Sequence, residues 1–163
     1  MKKTTLALMI TLFFSATVMF SCSKDSSDSP ATAANEVSFV VNGGGYSNQT
    51  IKLNANGSAV YDDVLDATGC SFADAASNSA MVAFNGHATG TFAVNDDNGL
   101  VVNMDNNTTL IGLTSGTITV TQYGAVGSDI KGTFSGTGIV IKNLSDPDTI
   151  QITNGNFKAR RAM

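Results

Sequence analysis

Tryptophan is absent from this 163-residue chain, histidine occurs once, and cysteine and proline occur twice each. A catalytic triad or a zinc site needs partners that this composition does not supply, so we expect the single histidine, His87, to be a loop residue. Charged residues make up 13% of the chain, with a formal net charge of −4. The only basic cluster is Lys158, Arg160 and Arg161. This is too small for the phosphate contacts of nucleic-acid binding, and we expect no nucleic-acid partner.

Glycine, asparagine and hydroxyl residues are abundant instead, as is typical of short strands joined by tight turns. The stretch 110–161 predicts three consecutive strands in which apolar residues alternate with hydroxyl residues. Ile118, Val120 and Gln122, for example, alternate with threonines and Tyr123. Strands of this kind have one apolar face and one hydroxyl-rich face, so further strands must cover the apolar face.

Seven further strands are predicted in the rest of the chain, and the whole indicates an all-β antiparallel sandwich or barrel of about ten strands. They cover 37–41, 49–54, 58–61, 79–85, 89–94, 100–104 and 108–113. The segment 62–69 is the least strand-like and is predicted to form one helical turn or a loop. The predicted core contains Phe39, Val41, Ile51, Leu53, Val82, Phe84, Phe92, Ile118, Val120, Ile130, Phe134, Ile150, Ile152 and Phe157.

Two stretches contain a glycine at which the apolar residues change from even to odd positions. One lies between Gly132 and Ile141, and the other lies between Ile152 and Phe157. A one-residue insertion of this kind predicts a β-bulge, which bends the strand. We therefore expect a strongly curved sheet.

The last third of the chain resembles a module that recurs in small Bacteroidota lipoproteins. Three segments carry the resemblance: Ser115–Val120, Ile130–Gly136 and Ile152–Phe157. The resemblance implies a curved antiparallel sandwich or a calycin-like barrel. It brings no catalytic residue with it, and we expect neither a cofactor nor a metal.

The first 21 residues have the pattern of a signal peptide. Lys2 and Lys3 precede an apolar run, 6–20, that is short for a membrane span of about 20 residues. Ser21 and Cys22 follow at once and resemble the end of a bacterial lipoprotein signal. The resemblance implies that Cys22 is lipidated, becomes the mature N-terminus and anchors the protein in the outer membrane. The alternative is a signal that is cleaved elsewhere, with Cys22 unmodified.

The remaining chain divides into a tether and one domain. Residues 22–35 lack apolar periodicity and are predicted to form a flexible polar tether, and residues 36–163 are predicted to form a single β domain. The acidic stretch 23–28 resembles the surface-export signals of Bacteroidota lipoproteins, so exposure on the cell surface is a further expectation.

Several residues are candidates for chemistry. Cys70, the one thiol left after lipidation of Cys22, is expected to be a small buried hydrophobe. The acidic pairs at 62–63 and 96–97 would suit general acid and base catalysis or calcium, since both need clustered carboxylates. The loop 95–99 comes nearest to a calcium loop. It lacks the ligand spacing and the closing glutamate, so a hairpin turn is the preferred interpretation.

Three weaker patterns complete the candidates. Residues 42–45 precede a strand, whereas a phosphate cradle precedes a helix, so they predict a turn. Tyr46, Tyr61 and Tyr123 are few for a sugar-stacking platform, which leaves a lectin role unsupported. The sequence Asp148-Thr149-Ile150 resembles the short O-glycosylation pattern of Bacteroidota exported proteins and implies Thr149 as an acceptor.

No catalytic constellation emerges from these residues, and we expect a lipoprotein that is not an enzyme. Its partners would be the lipid bilayer, through the acylated N-terminus, and an unknown protein or small-molecule ligand. An open apolar interior would indicate ligand carriage, whereas a solid core would indicate an interaction or structural module. The alternative is a small hydrolase that uses Asp residues, which would need two carboxylates about 5 to 10 Å apart in a cleft.

Overall fold

A computed structural model describes residues 35–143 and 146–162. These residues form ten β-strands, and none of their elements is a helix long and apolar enough to cross a membrane. The strands are β1 (Glu36–Gly43), β2 (Tyr46–Leu53), β3 (Asn56–Asp62), β4 (Ala67–Ala73), β5 (Ser79–Asn85), β6 (Gly90–Ala93), β7 (Gly99–Met104), β8 (Thr109–Tyr123), β9 (Asp129–Lys142) and β10 (Asp148–Arg160). The predicted all-β class is confirmed.

All the strands belong to one antiparallel sheet that curls strongly into a half-barrel. Its order is β2-β1-β10-β9-β8-β7-β5-β4-β3, and the short β6 pairs with the second half of β8. The three longest strands, β8, β9 and β10, lie side by side near the middle. Because these strands bend, the two ends of the sheet curl over the same apolar side.

The bend passes through one line across the long strands. In β8 the register shifts at Thr114, and in β10 it shifts between Ile152 and Gly155. Between these positions Gly116 of β8 lies opposite Gly136 of β9, so closely that a Cβ on Gly116 would lie 2.1 Å from the carbonyl oxygen of Ser135. Only glycine allows this close approach. Gly116 also has a φ of 130°, which residues with a side chain rarely adopt.

The two predicted bulges have different outcomes. The one in β10 is confirmed, since the buried residues change from even positions, ending at Ile152, to odd positions, starting at Gly155. The one in β9 is wrong, because the buried residues of the strand, from Ile130 to Val140, are all even-numbered. The extra residue is in the neighbouring strand, at Thr114 of β8.

A second register shift in β8 corrects another expectation. The shift lies between Val120 and Gln122, so Gln122 is exposed and Tyr123 turns toward the core. The alternation of Val120 with Gln122 on one apolar face was therefore wrong at the end of the strand. Residues 108–113 and 117–123, predicted as two strands, are the two halves of β8.

Strand β4 was not predicted. It occupies 67–73, which overlaps the segment expected to be a helical turn or a loop, and only 63–66 is a turn. Its inward residues include Thr68, whose hydroxyl donates to the carbonyl oxygen of Gly86 over 2.7 Å. A buried threonine breaks the apolar pattern, which is why the periodicity did not reveal the strand.

The core fills the concave side of the sheet. Thirteen of the fourteen predicted core residues are buried, and Phe92 is partly buried against them. Phe134 contacts Phe39 and Phe157, with ring centroids 5.7 Å and 6.5 Å away. Phe84 extends the series to Phe92 at 5.2 Å. Aromatic rings in mutual contact therefore occupy the interior.

Each of two central rings lies over a glycine in the neighbouring strand. Phe134 is the cross-strand partner of Gly155, and Phe157 is the partner of Gly132. A Cβ on either glycine would lie 2.4 to 2.5 Å from the ring of its partner. The missing side chains thus make room for the two rings to stack.

The edge strand β3 returns to the end of β10, and this seam closes one side of the sheet. Ala59 forms a parallel bridge with Arg161, and the N–H of Ala162 donates to the carbonyl oxygen of Ala59. The side chain of Asn35 spans the same seam. Its Nδ2 donates to the carbonyl oxygen of Gly57, and its Oδ1 accepts from the N–H of Arg160, both over 2.7 Å.

Candidate functional site: the polar face of the sheet

The convex side of the central strands carries a continuous polar surface. Its best-defined part is a row of one residue per strand across six neighbouring strands, which we call the polar row. The polar row consists of Thr91, Thr119, Thr133, Asn156, Ser38 and Lys52, in β6, β8, β9, β10, β1 and β2. Neighbouring strands are about 4.8 Å apart, so the row extends for about 24 Å.

Contacts within the polar row hold its side chains in place. The hydroxyls of Thr91 and Thr119 are 3.1 Å apart, and Asn156 Nδ2 donates to Ser38 Oγ over 3.0 Å. Thr133, at the centre, has an exposed side chain. Because threonine is branched at Cβ, its hydroxyl has few orientations to lose when it binds a ligand.

Further rows of the same character lie beside it on the convex side. Thr117 faces Ser135, and Ser115 faces Thr137, which faces Gln151. Gln151 Nε2 donates to the hydroxyl of Thr137 over 3.1 Å. We call the polar row and these residues together the polar face.

Negative charge is sparse on the polar face, although the protein is acidic. Glu36, two residues before Ser38 on the same face of β1, lies 2.8 Å from Lys52. Among the described residues, every Asp and Glu lies in a turn or is the first or last residue of a strand. Asp62, for example, ends β3, and its carboxylate accepts the backbone N–H groups of Val64 and Leu65 in the turn that follows. The two carboxylates next to the polar row, those of Glu36 and Asp129, each lie beside a lysine, so the polar face has little repulsion for an anionic ligand.

Positive charge lies along one margin of the polar face. Lys131 of β9 and Lys158 of β10 are direct cross-strand partners, and Arg160 follows with its side chain exposed. A like-charged cross-strand pair is unfavourable in a sheet. One carboxylate, that of Asp129, lies 3.9 Å from Lys131 and 3.6 Å from Lys158. A second carboxylate, that of Glu36, belongs to the cross-strand partner of Lys158 in β1. We call Lys131, Lys158 and Arg160 the basic margin. Together with Lys52 they outnumber the carboxylates of Asp129 and Glu36, so this side of the polar face retains net positive charge.

A shallow open depression of about 380 Å³ lies beside the seam between β3 and β10, and Asn35, Ser58, Arg160 and Arg161 are among the residues that line it. The Arg161 guanidinium lies 5.0 Å from the centre of the Tyr123 ring. Arg161 also donates to the carbonyl oxygen of Gly124 over 3.3 Å. These contacts give Arg161 a structural role at the seam.

His87 lies in the loop after β5, as predicted, with an exposed side chain. Its ring is 4.6 Å from that of Tyr61, and its Nδ1 is 3.9 Å from the Asp66 carboxylate. Tyr61 donates its hydroxyl to Asp66 over 2.8 Å, and this hydrogen bond raises the pKa of Tyr61. This grouping could not be predicted from the sequence, since it depends on the pairing of β4 with β3 and β5.

Cys70 is fully buried in β4, opposite Ala59 and Val82. Burial raises the pKa of the thiol to about 12, because the thiolate would lose its hydration. Cys70 is thus a small buried hydrophobic residue, as expected from the sequence. Its thiol stays protonated at neutral pH, so the reactive thiolate does not form.

The loop 95–99 forms a tight turn between β6 and β7. Asn95 Oδ1 accepts the backbone N–H groups of Asp97 and Asn98, both over 2.8 Å. Asn98 is buried, and its Oδ1 accepts the N–H of Asn85 over 2.7 Å. Two oxygens that a calcium loop would offer to the ion thus accept backbone hydrogen bonds. No group of three or more potential metal ligands occurs in the part of the chain that the structure describes.

The remaining candidates lie at the end of the sheet away from the basic margin. The turn predicted at 42–45 is present and consists of Gly44 and Gly45, between β1 and β2. Lys142 Nζ donates to the carbonyl oxygen of Gly44 and lies 4.3 Å from the centre of the Tyr46 ring. Thr149 is exposed near the start of β10, so its hydroxyl is accessible. Cys22 lies outside the described residues.

Comparisons of the chain with protein-family models, with curated proteins and with solved structures found no match.

Proposed function

We propose that the protein is a lipid-anchored lipoprotein of the outer membrane, held by acylated Cys22, that presents the polar face as a non-enzymatic binding surface. The observation that carries the proposal is the placement of Cys22 directly after a short apolar run and before a polar, acidic stretch. Each acyl methylene that enters the bilayer contributes about 0.8 kcal/mol, so two or three chains anchor a protein firmly.

The interior of the β-body supports an interaction role over ligand carriage. A carrier needs an open cavity lined by apolar side chains. Here the concave side is filled by phenylalanine rings in contact, from Phe39 through Phe134 and Phe157 to Phe84. We therefore propose that the binding surface lies on the outside of the sheet, where the polar face is.

The two cysteines provide a matched test of the anchor. Cys22→Ser should abolish labelling by a fatty acid analogue and release the protein from the membrane fraction. Cys70→Ser serves as the control, because Cys70 is buried in the β-body and is expected to leave labelling unchanged. Equal labelling of the wild-type protein and Cys22→Ser would refute the proposal.

Surface display is tested separately. Protease added to intact cells should digest the protein if the β-body faces outward, whereas digestion only after lysis would place it on the inner side of the outer membrane. We propose display on the cell surface as well, on the basis of the acidic stretch 23–28. Digestion only after lysis would contradict this display without contradicting the lipid anchor.

A further inference from the structure

We infer that the polar face binds an acidic polysaccharide, whose hydroxyl groups bond to the polar row and whose carboxylates lie on the basic margin. The inference rests on the proposed function in taking the polar face as the binding surface, and it does not depend on the anchor. It names the class of ligand from the chemistry of two neighbouring sets of side chains.

The composition of the polar face disfavours the other classes of macromolecule. Protein interfaces are enriched in Tyr, Trp, Phe, Met and Arg and depleted in Ser, whereas the polar row has threonine, serine and asparagine. A membrane surface would need exposed apolar side chains, which the row lacks. Nucleic acids carry a charge on every nucleotide, and the three cations of the basic margin, together with Lys52, provide few phosphate contacts.

A polysaccharide has the chemistry that the polar row complements. Its hydroxyl groups are both donors and acceptors, as are the hydroxyls of Thr119, Thr133 and Ser38. The row repeats such groups once per strand, which suits a polymer that repeats its own hydroxyls along its length. Side chains held by mutual hydrogen bonds lose little freedom on binding, which compensates for the lack of aromatic stacking surfaces.

The basic margin adds the preference for an acidic polymer. Lys131 and Lys158 face each other, and the carboxylates of Asp129 and Glu36 are fewer than the cations around them, so a ligand carboxylate would relieve the remaining repulsion of the pair. The margin lies next to the polar row, because Lys131 and Thr133 are two residues apart on the same face of β9, as are Lys158 and Asn156 on β10. A single polysaccharide chain can therefore contact both the polar row and the basic margin.

Binding of the full chain, kept in detergent micelles, to three polymers tests the inference. Polygalacturonate carries hydroxyls and carboxylates, dextran carries hydroxyls only, and polyglutamate carries carboxylates only. We expect polygalacturonate to bind at least about tenfold more tightly than either of the others, with an affinity that falls as salt screens the charges. Equal binding of polyglutamate and polygalacturonate, or no binding of polygalacturonate, would overturn the inference.

Two pairs of variants locate the site. Thr133→Ala should weaken binding of polygalacturonate roughly fivefold through the loss of one hydrogen bond, whereas Thr89→Ala, in the exposed loop before β6, should leave it unchanged. Lys131→Gln should weaken binding and reduce its salt dependence. Lys142→Gln, at the other end of β9, should do neither. The same loss in both members of a pair would show that the polymer does not bind at the polar face.

This experiment separates the inference from the proposed function. Acylation at Cys22 does not enter the binding measurement, and polymer binding does not enter the labelling measurement. A protein that is labelled by the fatty acid but ignores all three polymers would retain its anchor and lose this ligand class. A protein that binds polygalacturonate but is not labelled would retain this ligand class and lose the proposed lipid anchor.

Discussion

Replacing Phe134 with alanine tests the core of the sheet. The side chain is 3% exposed, and its ring contacts the rings of Phe39 and Phe157. Truncating a buried phenylalanine costs about 3 to 5 kcal/mol, because the transfer free energy of the ring is lost and a cavity remains. Urea unfolding followed by far-ultraviolet circular dichroism measures the loss. With a slope of about 2 kcal/mol/M, the midpoint should fall by about 2 M.

The control is Phe92→Ala, since Phe92 is only partly buried in the short strand β6 and should cost less. A loss below about 0.5 kcal/mol in Phe134→Ala would refute the burial of the ring. A double-mutant cycle with Gly155→Ala probes the ring–glycine contact. Alanine at 155 would press on the ring of Phe134, so the cost of the double variant should be smaller than the sum of the single costs by at least ~0.5 kcal/mol.

Three further predictions follow from the fold. Gly116→Ala should destabilise the protein by about 1 to 3 kcal/mol in the same urea assay, whereas Gly99→Ala, where a Cβ meets open space, should be nearly neutral. Cys70 should resist iodoacetamide at pH 8 in the native protein and react after unfolding; its thiolate should appear only as the pH approaches 12, and rapid native labelling would contradict its burial. A chain that begins at Ala31 should fold and give a β-sheet circular dichroism spectrum, and substantial helix would contradict the fold.

The apolar alternation of the long strands was enough to predict the fold class and the core. Phe134, Ile152 and Phe157 alternate with polar residues, so their faces follow from the period of a strand. The phase change in β8 was missed because the residues between Leu113 and Ile118 are threonine, serine and glycine, which mark neither face. When only polar and small residues surround a bulge, the apolar alternation does not show at which residue it lies.

The sequence predicted the composition of the candidate site but not the alignment of its residues across the strands. The sequence showed that the outer face of the long strands carries hydroxyls. It did not show that Thr119, Thr133 and Asn156 share a row, because that alignment depends on the register shifts in β8 and β10. Nor did it show that Lys131 faces Lys158, since these residues are far apart along the chain.

The position of β10 sets the order in which the chain folds. β10 is the last strand along the chain, yet it lies between β9 and β1, the first strand. The hairpin of β1 and β2 therefore has no place to dock until the residues of β10 are available, and contacts over such sequence separations form slowly. The first hairpin of the chain therefore joins the sheet only after the last strand has been made, whereas the strands from β3 to β9 pair with one another without β10.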